Sequence, residues 1–580
     1  MRRSIARAVS LGTIFIAISI FMAFPQIRQI DRVTPGDYAD GYFTQWTVRW
    51  DFQAITGPQE LFDANIFWPN RDTLAYSDTL LPAALIVGLL TPIFGSPTDY
   101  NLVYLATWVV SMIGMYLLAH RLTGNRLGAV LAAIVFTFSA PRLGQYVHFQ
   151  LAFACLIPLC IYFLLRVLEE KKWSQAVALG VTTGMTGLIA GYYAVLLSVA
   201  LPTMAVGWLV WDKKKPTFKT VATLGVAALL TALLMAPVAI KYLDVQQRLK
   251  LYRGPTEIEA LSAHPKDFLA PARHSYLYGF ASERPARRAR DVQLFPGVMA
   301  TILALVGVVA LLRRSIAHLI TAPHRRAFLL LILVGAIGFI FAFGVKGGIG
   351  ETEWPLPYAL LARLPLFSGI RSVSRFIILP LIAGAALTSF GFSNITSGRP
   401  RLVAYVLTAA IATIALAEYR IEINTVPTID RGSDATVNDL LRNLPPGPVL
   451  ELPMGDPSTV FHGYVEAPRM LMSIKDLHPR INGYSGFVPP GYIWAVESTN
   501  ALVTGVPNQQ AEQVLDRFAV RYLIIRTAPL TPEVSGAHPH LPGIGFYDAA
   551  TAEKVVSALP QDRIVARTQS NGALLIQLRN

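Results

Sequence analysis

Runs of about twenty apolar residues recur along this chain, and they constrain it more than any other feature. A helix needs about 20 such residues to cross a bilayer, and inside lipid every backbone polar group must be paired within its own segment or barrel. The runs lie at 6–24, 102–120, 126–140, 149–168, 174–191, 193–211, 219–242, 296–312, 327–345, 372–391 and 402–419. They predict a polytopic α-helical membrane protein with about 11 transmembrane helices. Composition agrees: 53% of the 580 residues are hydrophobic and 15% are charged, where soluble domains carry about 25% charged residues. The opening stretch MRRSIARAVSLGTIFIAISIFMAF lacks a small-x-small cleavage pattern before Pro25, so it reads as a retained first span rather than a signal peptide. Cys155 and Cys160 both sit in an apolar run and read as small buried hydrophobes, with no disulfide framework or metal site in view.

Charge placement orients the spans. Lys and Arg gather at Arg2/Arg3/Arg7, Arg121/Arg126, Arg166/Lys171/Lys172, Lys213/Lys214/Lys215/Lys219, Arg313/Arg314/Arg325/Arg326 and Arg399/Arg401, all in short loops or at the terminus. The positive-inside rule makes that side cytoplasmic. The N-terminus is then cytoplasmic, and the long connections 25–101, 243–295, 346–371 and the tail from 420 are extracytoplasmic. This asymmetry accounts for most of the +14 net charge, so nucleic acid is not expected as a partner. The run TLLPAALIVGLLTPIFG, 79–95, is short and holds Pro82 and Pro92. Counted as a span it would invert every later loop, so it reads as a juxtamembrane or re-entrant helix buried against protein.

After Glu418 the composition changes. Short β-rich runs at 447–454, 520–527 and 572–578 alternate with helix-like stretches at 434–444, 508–518 and 550–558. These predict a small C-terminal α/β domain. The expected division is 1–419 for the membrane domain, with its first outer loop at 25–101, and 420–580 for the outer α/β domain.

Five outer segments carry polar chemistry. In GDYADGYFTQWTVRW, Asp40 can N-cap a helix that presents Phe43, Trp46 and Trp50 along one side at the membrane interface, with Asp37 three residues earlier. FDANIFWPNRDTLAYSD, 62–78, sets Asp63, Asn65, Asp72 and Asp78 among aromatics, the mixture that suits sugar hydroxyls and C–H faces. PRLGQYVHFQ, 141–150, places Arg142, Gln145, His148 and Gln150 at the mouths of two spans, level with Tyr192 and Tyr193. The loop 260–279 carries His264, Lys266, Asp267, Arg273 and His274. In RLPLFSGIRSVSRF, Arg371 and Arg375 are four apart, hence on one helix face, at the outer end of a span where basic residues are unusual. Their guanidinium forks suit a phosphate. Walker A, HExxH, CxxC and GxSxG patterns are absent from the sequence. The predicted spans hold almost no ionisable residues, which argues against an ion-coupled transporter.

Taken together, GDYADGYFTQW, NIFWPNRDTLAYSD, YNLVYLATWVVSMIGMYLLAHRLTG, PRLGQYVHFQL, LPLFSGIRSVSRF, VLELPM and HPRINGYSGFVPPGY resemble the GT-C superfamily, in a bacterial branch of it. Members are polytopic glycosyltransferases that use polyprenyl-phosphate-linked sugars outside the membrane and carry a catalytic Asp in a first outer loop with juxtamembrane helices. The resemblance implies an inverting transferase. Asp40 is its catalytic base, with Asp37 the alternative, and Arg371 and Arg375 bind the donor phosphate. His148, Gln150, Arg142, Asp78, Tyr192, Tyr193 and His264 line the sugar or acceptor. Implied partners are the lipid-linked sugar, a glycan, lipid or protein acceptor, and membrane lipids. Many members carry a second acidic residue in the second outer loop, where this chain has Arg142, His148 and Gln150 and no carboxylate. A divalent cation, Mg or Mn, is therefore left open and no cofactor is assigned. The alternatives are a lipid or polysaccharide transporter and a non-catalytic cell-envelope assembly protein on a GT-C-like fold.

Overall fold

The structure is a computed structural model. It describes every residue except 1, 213–215, 273, 280–292, 314–321, 350–351, 430–435, 531–544 and 580. Lys213, Lys214, Lys215, Arg273 and Arg314 thus lie outside the described residues. The chain forms two compact units: Met1–Arg28 with Leu102–Ile423, and Gln29–Asn101 with Asn424–Asn580.

The first unit is helical. Among the described residues, eight helices are long and apolar enough to cross a membrane: Thr98–Thr123, Arg126–Leu143, Phe149–Glu170, Gly191–Trp211, Phe218–Leu249, His324–Ala342, Val373–Thr396 and Arg401–Tyr419. The chain is thus a multi-pass membrane protein. The expected span at 6–24 falls on the helix Arg2–Met22 (21 residues), while those at 174–191 and 296–312 form the shorter helices Trp173–Ile189 (17 residues) and Val298–Leu312 (15 residues). At 1.5 Å per residue, 15 residues reach only about 22 Å, less than the ~30 Å hydrocarbon core.

The helix at the centre of this unit is Ile378–Thr396, whose span is 83% buried against 11% for Phe218–Leu249. Its backbone touches its neighbours directly. A Cβ on Gly391 would lie 2.1 Å from the Leu303 carbonyl oxygen, and one on Gly307 would lie 2.4 Å from that of Leu387. Lipid tails are as apolar as Leu, so helices associate in membranes by such close packing rather than by hydrophobic exclusion. Leu229, Leu233 and Ile240 on the long helix Phe218–Leu249 remain exposed, as a lipid-facing surface would be.

The second unit joins the 29–101 segment to the tail. Val33–Pro35 pairs antiparallel with Thr425–Pro427, with Thr34 opposite Val426. In the tail, Val449–Leu452 runs parallel to Tyr522–Arg526. The latter pairs antiparallel with Ala573–Leu578, which pairs in turn with Ile564–Ser570. Val449, Tyr522, Ile524, Ala573 and Leu575 form its core with Val437 and Leu441 of the helix Val437–Leu441. The central strand YLIIR is buried at every position, which explains its unbroken apolar run. The predicted stretches 508–518 and 550–558 are the helices Gln509–Arg517 and Ala549–Ser557. The helices His462–Ser473 and Pro490–Thr499 and the strand Ile564–Ser570 carried too weak a local pattern to be read in advance.

The 79–95 run is the helix Leu81–Phe94. Its 14 residues reach about 21 Å, too short to span. It packs on the helix Asp40–Thr56, with Gly88 held so close to Phe52 that a Cβ would meet the ring at 2.1 Å. Its other side leaves Leu89 and Ile93 exposed, as a juxtamembrane helix requires.

Candidate active site

In the second unit the acidic pair is arranged differently from the expectation. The helix starts at Asp40 itself, and Ala39 occupies the capping position without a side-chain bond. Asp37 does the capping: its Oδ1 accepts the backbone N–H groups of Ala39 (3.1 Å) and Asp40 (2.8 Å). That makes Asp37 the residue that satisfies donors left open at a helix start and relieves Asp40 of the task. Gly36 makes the entry possible. At φ +152° it lies where a Cβ would sit 2.7 Å from the Gly41 Cα, and its N–H donates to the Asn424 carbonyl. Asp40 is half-buried in the first turn, where the helix dipole favours negative charge. Its Oδ1 accepts from the Tyr484 hydroxyl at 3.3 Å.

Phe43, Trp46 and Trp50 do form one face, with successive rings stacked at 5.8 and 6.3 Å. All three are buried within the unit, so the face expected at the lipid interface is spent on protein packing. One residue beyond Trp50, Asp51 is fully buried. Its Oδ2 accepts the Leu80 N–H at 2.7 Å, and Oδ1 has no partner among the described residues. Burial pushes its carboxyl up to about 8, against a smaller lowering by the Leu80 bond. Nothing in the local sequence distinguishes Asp51 from a solvated helix aspartate.

The 62–78 residues divide by role. Asp63 accepts the Asp72 N–H at 2.8 Å, holding the turn at Asp72 (φ 58°). Asn65 donates to Ser473 Oγ at 3.0 Å. Asp78 is half-buried just before the helix Leu81–Phe94.

In the first unit, Arg371 and Arg375 do not share a helix face. Arg371 precedes the short 3-10 turn Val373–Ile377, Arg375 lies within it, and the helix proper begins at Ile378. Arg371 lies 3.7 Å from Glu257, which also pairs with Arg253 at 3.1 Å. Arg375 stacks over the Tyr192 ring at 4.2 Å. Arg253 is held below the usual guanidinium range, chiefly by burial, with the nearby Arg371 charge adding to it. Arg253 and Arg371 thus share Glu257. Arg253 and Glu257 were missed from sequence because they belong to a different loop from the arginine pair.

The remaining expected residues take distinct places. Arg142 is buried, donates to the Ala152 carbonyl at 3.3 Å and stacks over Phe136 at 4.9 Å. His148 heads the short helical turn Phe149–Ala152, and Gln150 is half-buried within it. Tyr193 is buried and gives its hydroxyl to the Leu151 carbonyl at 2.7 Å, which ties that turn to the helix Gly191–Asp212. His264 is exposed at the start of the turn Pro265–Leu269, where Asp267 accepts its N–H at 2.7 Å. Among the described residues no group of three or more His, Cys, Asp or Glu gathers in one place.

Solved structures resemble this arrangement. The arabinofuranosyltransferase AftD from Mycobacteria matches over 100% of this chain with a TM-score of 0.61 at 15% identity. This chain spans 40% of AftD's length. The oligosaccharyltransferase of Archaeoglobus fulgidus, in its apo form, matches over 94% of this chain and 72% of its own, with a TM-score of 0.53 at 12% identity. At such identities the likeness is one of fold, and that fold is GT-C. No curated protein matches the chain. A family model described as a domain of unknown function (DUF6311) matches residues 10–417. The chain therefore belongs to the DUF6311 family, built on the GT-C fold.

Proposed function

We propose that this protein is an inverting glycosyltransferase that moves a sugar from a polyprenyl-phosphate donor to an acceptor hydroxyl on the outer face of a bacterial inner membrane. The observation that carries this reading is Asp40: a half-buried carboxylate in the first turn of a helix, freed from capping by Asp37 and oriented by a tyrosine hydroxyl. A GT-C fold supports the same class of reaction, since AftD and the Archaeoglobus enzyme are both glycosyltransferases. Asp40 takes the proton of the acceptor hydroxyl as that oxygen attacks the anomeric carbon. The bond from anomeric carbon to phosphate oxygen breaks, and the lipid phosphate leaves with the electron pair. Arg371, Arg375 and Arg253 offset the charge gathering on that phosphate. His148, Gln150, Asp78, Tyr192 and His264 are the candidates for orienting sugar or acceptor. A single displacement with one base inverts the anomeric centre. A divalent cation is assigned no step.

The test is transfer from radiolabelled decaprenyl-phosphate arabinofuranose, undecaprenyl-phosphate mannose and undecaprenyl-phosphate glucose in proteoliposomes, against a panel of oligosaccharide and lipid acceptors. Wild type forms labelled product from at least one donor, and Asp40→Asn forms none. No turnover of any donor by the wild type would sink the transferase reading. Full activity in Asp40→Asn would remove Asp40 from its role.

A further inference from the structure

The family model ends at residue 417, yet Asp40 is held by a residue beyond it: Tyr484 lies 444 positions further along the chain. We propose that Tyr484 is a positioning residue for Asp40, so that the tail supplies part of the transfer machinery. This rests on the reading of Asp40 as the base.

The tyrosine is held on every side. Its ring stands edge-on to Phe43 at 5.5 Å and to His462 at 5.5 Å. Its backbone N–H donates to Met470 Sδ at 3.2 Å. The segment leading to it is strapped to the 64–68 segment by three backbone bonds: Arg480 N–H to Asn65 O (3.2 Å), Phe67 N–H to Asn482 O (3.1 Å) and Trp68 N–H to Arg480 O (2.7 Å). Gly483 is packed so tightly that a Cβ would meet the Phe67 ring at 2.9 Å, and a Cβ on Gly463 would meet the Tyr484 ring at the same distance. His462, which closes the other side, donates from Nε2 to the Gly483 carbonyl (2.9 Å) and is kept neutral by burial, its value lowered to about 4. Such a frame leaves the phenol little rotational freedom. Its hydroxyl therefore reaches Asp40 already oriented, which is what positions a reacting group cheaply.

The physical consequence is specific. A hydroxyl donating to Oδ1 restrains the plane of the carboxylate that takes the incoming proton. Without it the carboxylate is held less closely, and the productive orientation is populated less. That loss falls on the chemical step rather than on donor binding, because the proposed phosphate-binding arginines are a separate group in the other unit.

The experiment uses the full chain in proteoliposomes with the same three labelled donors. Tyr484→Phe keeps the ring contacts with Phe43 and His462 and removes only the hydroxyl, so thermal unfolding in detergent stays within a few degrees of wild type. Its kcat falls about tenfold to a hundredfold while KM for the donor changes less than about threefold. Tyr484→Phe with wild-type kcat, while Asp40→Asn is inactive, overturns this proposal and leaves the base assignment standing. A rise in KM alone also overturns it, since that would place Tyr484 in binding. An active Asp40→Asn, or a wild type that turns over no donor, overturns the underlying reading and the proposal with it. If Tyr484→Phe fails to fold, Phe43→Leu, which removes the ring packed edge-on against Tyr484, must show the same kcat loss at unchanged KM; its absence overturns the proposal.

Discussion

Replacing Asp51 by asparagine will flatten the pH dependence of stability in the second unit. The residue has no exposed surface, one oxygen bonded to the Leu80 N–H and the other with no partner among the described residues. Its carboxyl is pushed up to about 8 from 3.8, chiefly by burial. The folded state therefore holds a proton that the unfolded chain has already lost between those values. Folding stability from this group is complete below about pH 4 and declines as pH rises through the window up to about 8. Each pH unit in the window is worth about 1.4 kcal/mol, so moving from pH 5 to pH 7 costs roughly 3 kcal/mol. In a domain of 150–250 residues each kcal/mol shifts the midpoint by about 2–4 °C, which makes the expected drop about 6–12 °C. The asparagine side chain retains an oxygen for the Leu80 N–H and has no proton to lose. The assay is thermal unfolding of detergent-solubilised protein at pH 5 and pH 7, wild type against Asp51→Asn. The wild type should lose several degrees more than the variant between the two conditions. Parallel shifts in the two proteins would refute the reasoning, because they would mean that Asp51 ionises as an ordinary solvated carboxylate.

Three other outcomes are expected. Gly391→Ala in the central membrane helix forces a methyl group to within 2.1 Å of the Leu303 carbonyl oxygen; the helices must separate, and thermal stability in detergent should fall by about 1–3 kcal/mol, whereas Gly384→Ala, which meets nothing within 4 Å, should leave it unchanged. Arg526→Met leaves Glu451 buried with one guanidinium fewer, since it now pairs with Arg526 at 2.5 Å and Arg469 at 3.1 Å; a loss of about 3–5 kcal/mol in unfolding free energy is expected, and a change under about 1 kcal/mol would contradict it. Arg253→Ala should lower kcat/KM for a polyprenyl-phosphate donor about tenfold or more, read in the proteoliposome assay; an unchanged kcat/KM would remove Arg253 from its proposed role at the phosphate.

Much of the architecture was legible because its causes are local. A long apolar run with basic ends encodes a membrane helix without reference to any other part of the chain, and eight such helices formed where they were expected. The buried strand YLIIR and the proline-bearing helix Leu81–Phe94 announced themselves in the same way. The acidic pair shows the limit of local reading. Asp37 and Asp40 are equally good caps by residue type, and only the tight Gly36–Gly41 approach and the pairing of 33–35 with 425–427 decide that Asp37 takes the backbone donors.

The sequence by itself determined that this chain is a multi-pass helical protein with a mixed α/β tail, and that carboxylates, arginines and aromatics gather in its long connections. Only the tertiary structure decided which of them meet. Tyr484 reaches Asp40 across 444 residues, Arg253 joins Arg371 through Glu257, and Asp51 loses all contact with water. Hydrophobic periodicity acts over a few residues and so leaves a mark in every segment. A hydrogen bond between distant segments depends on how complete elements pack, and neither partner carries a local sign of the other.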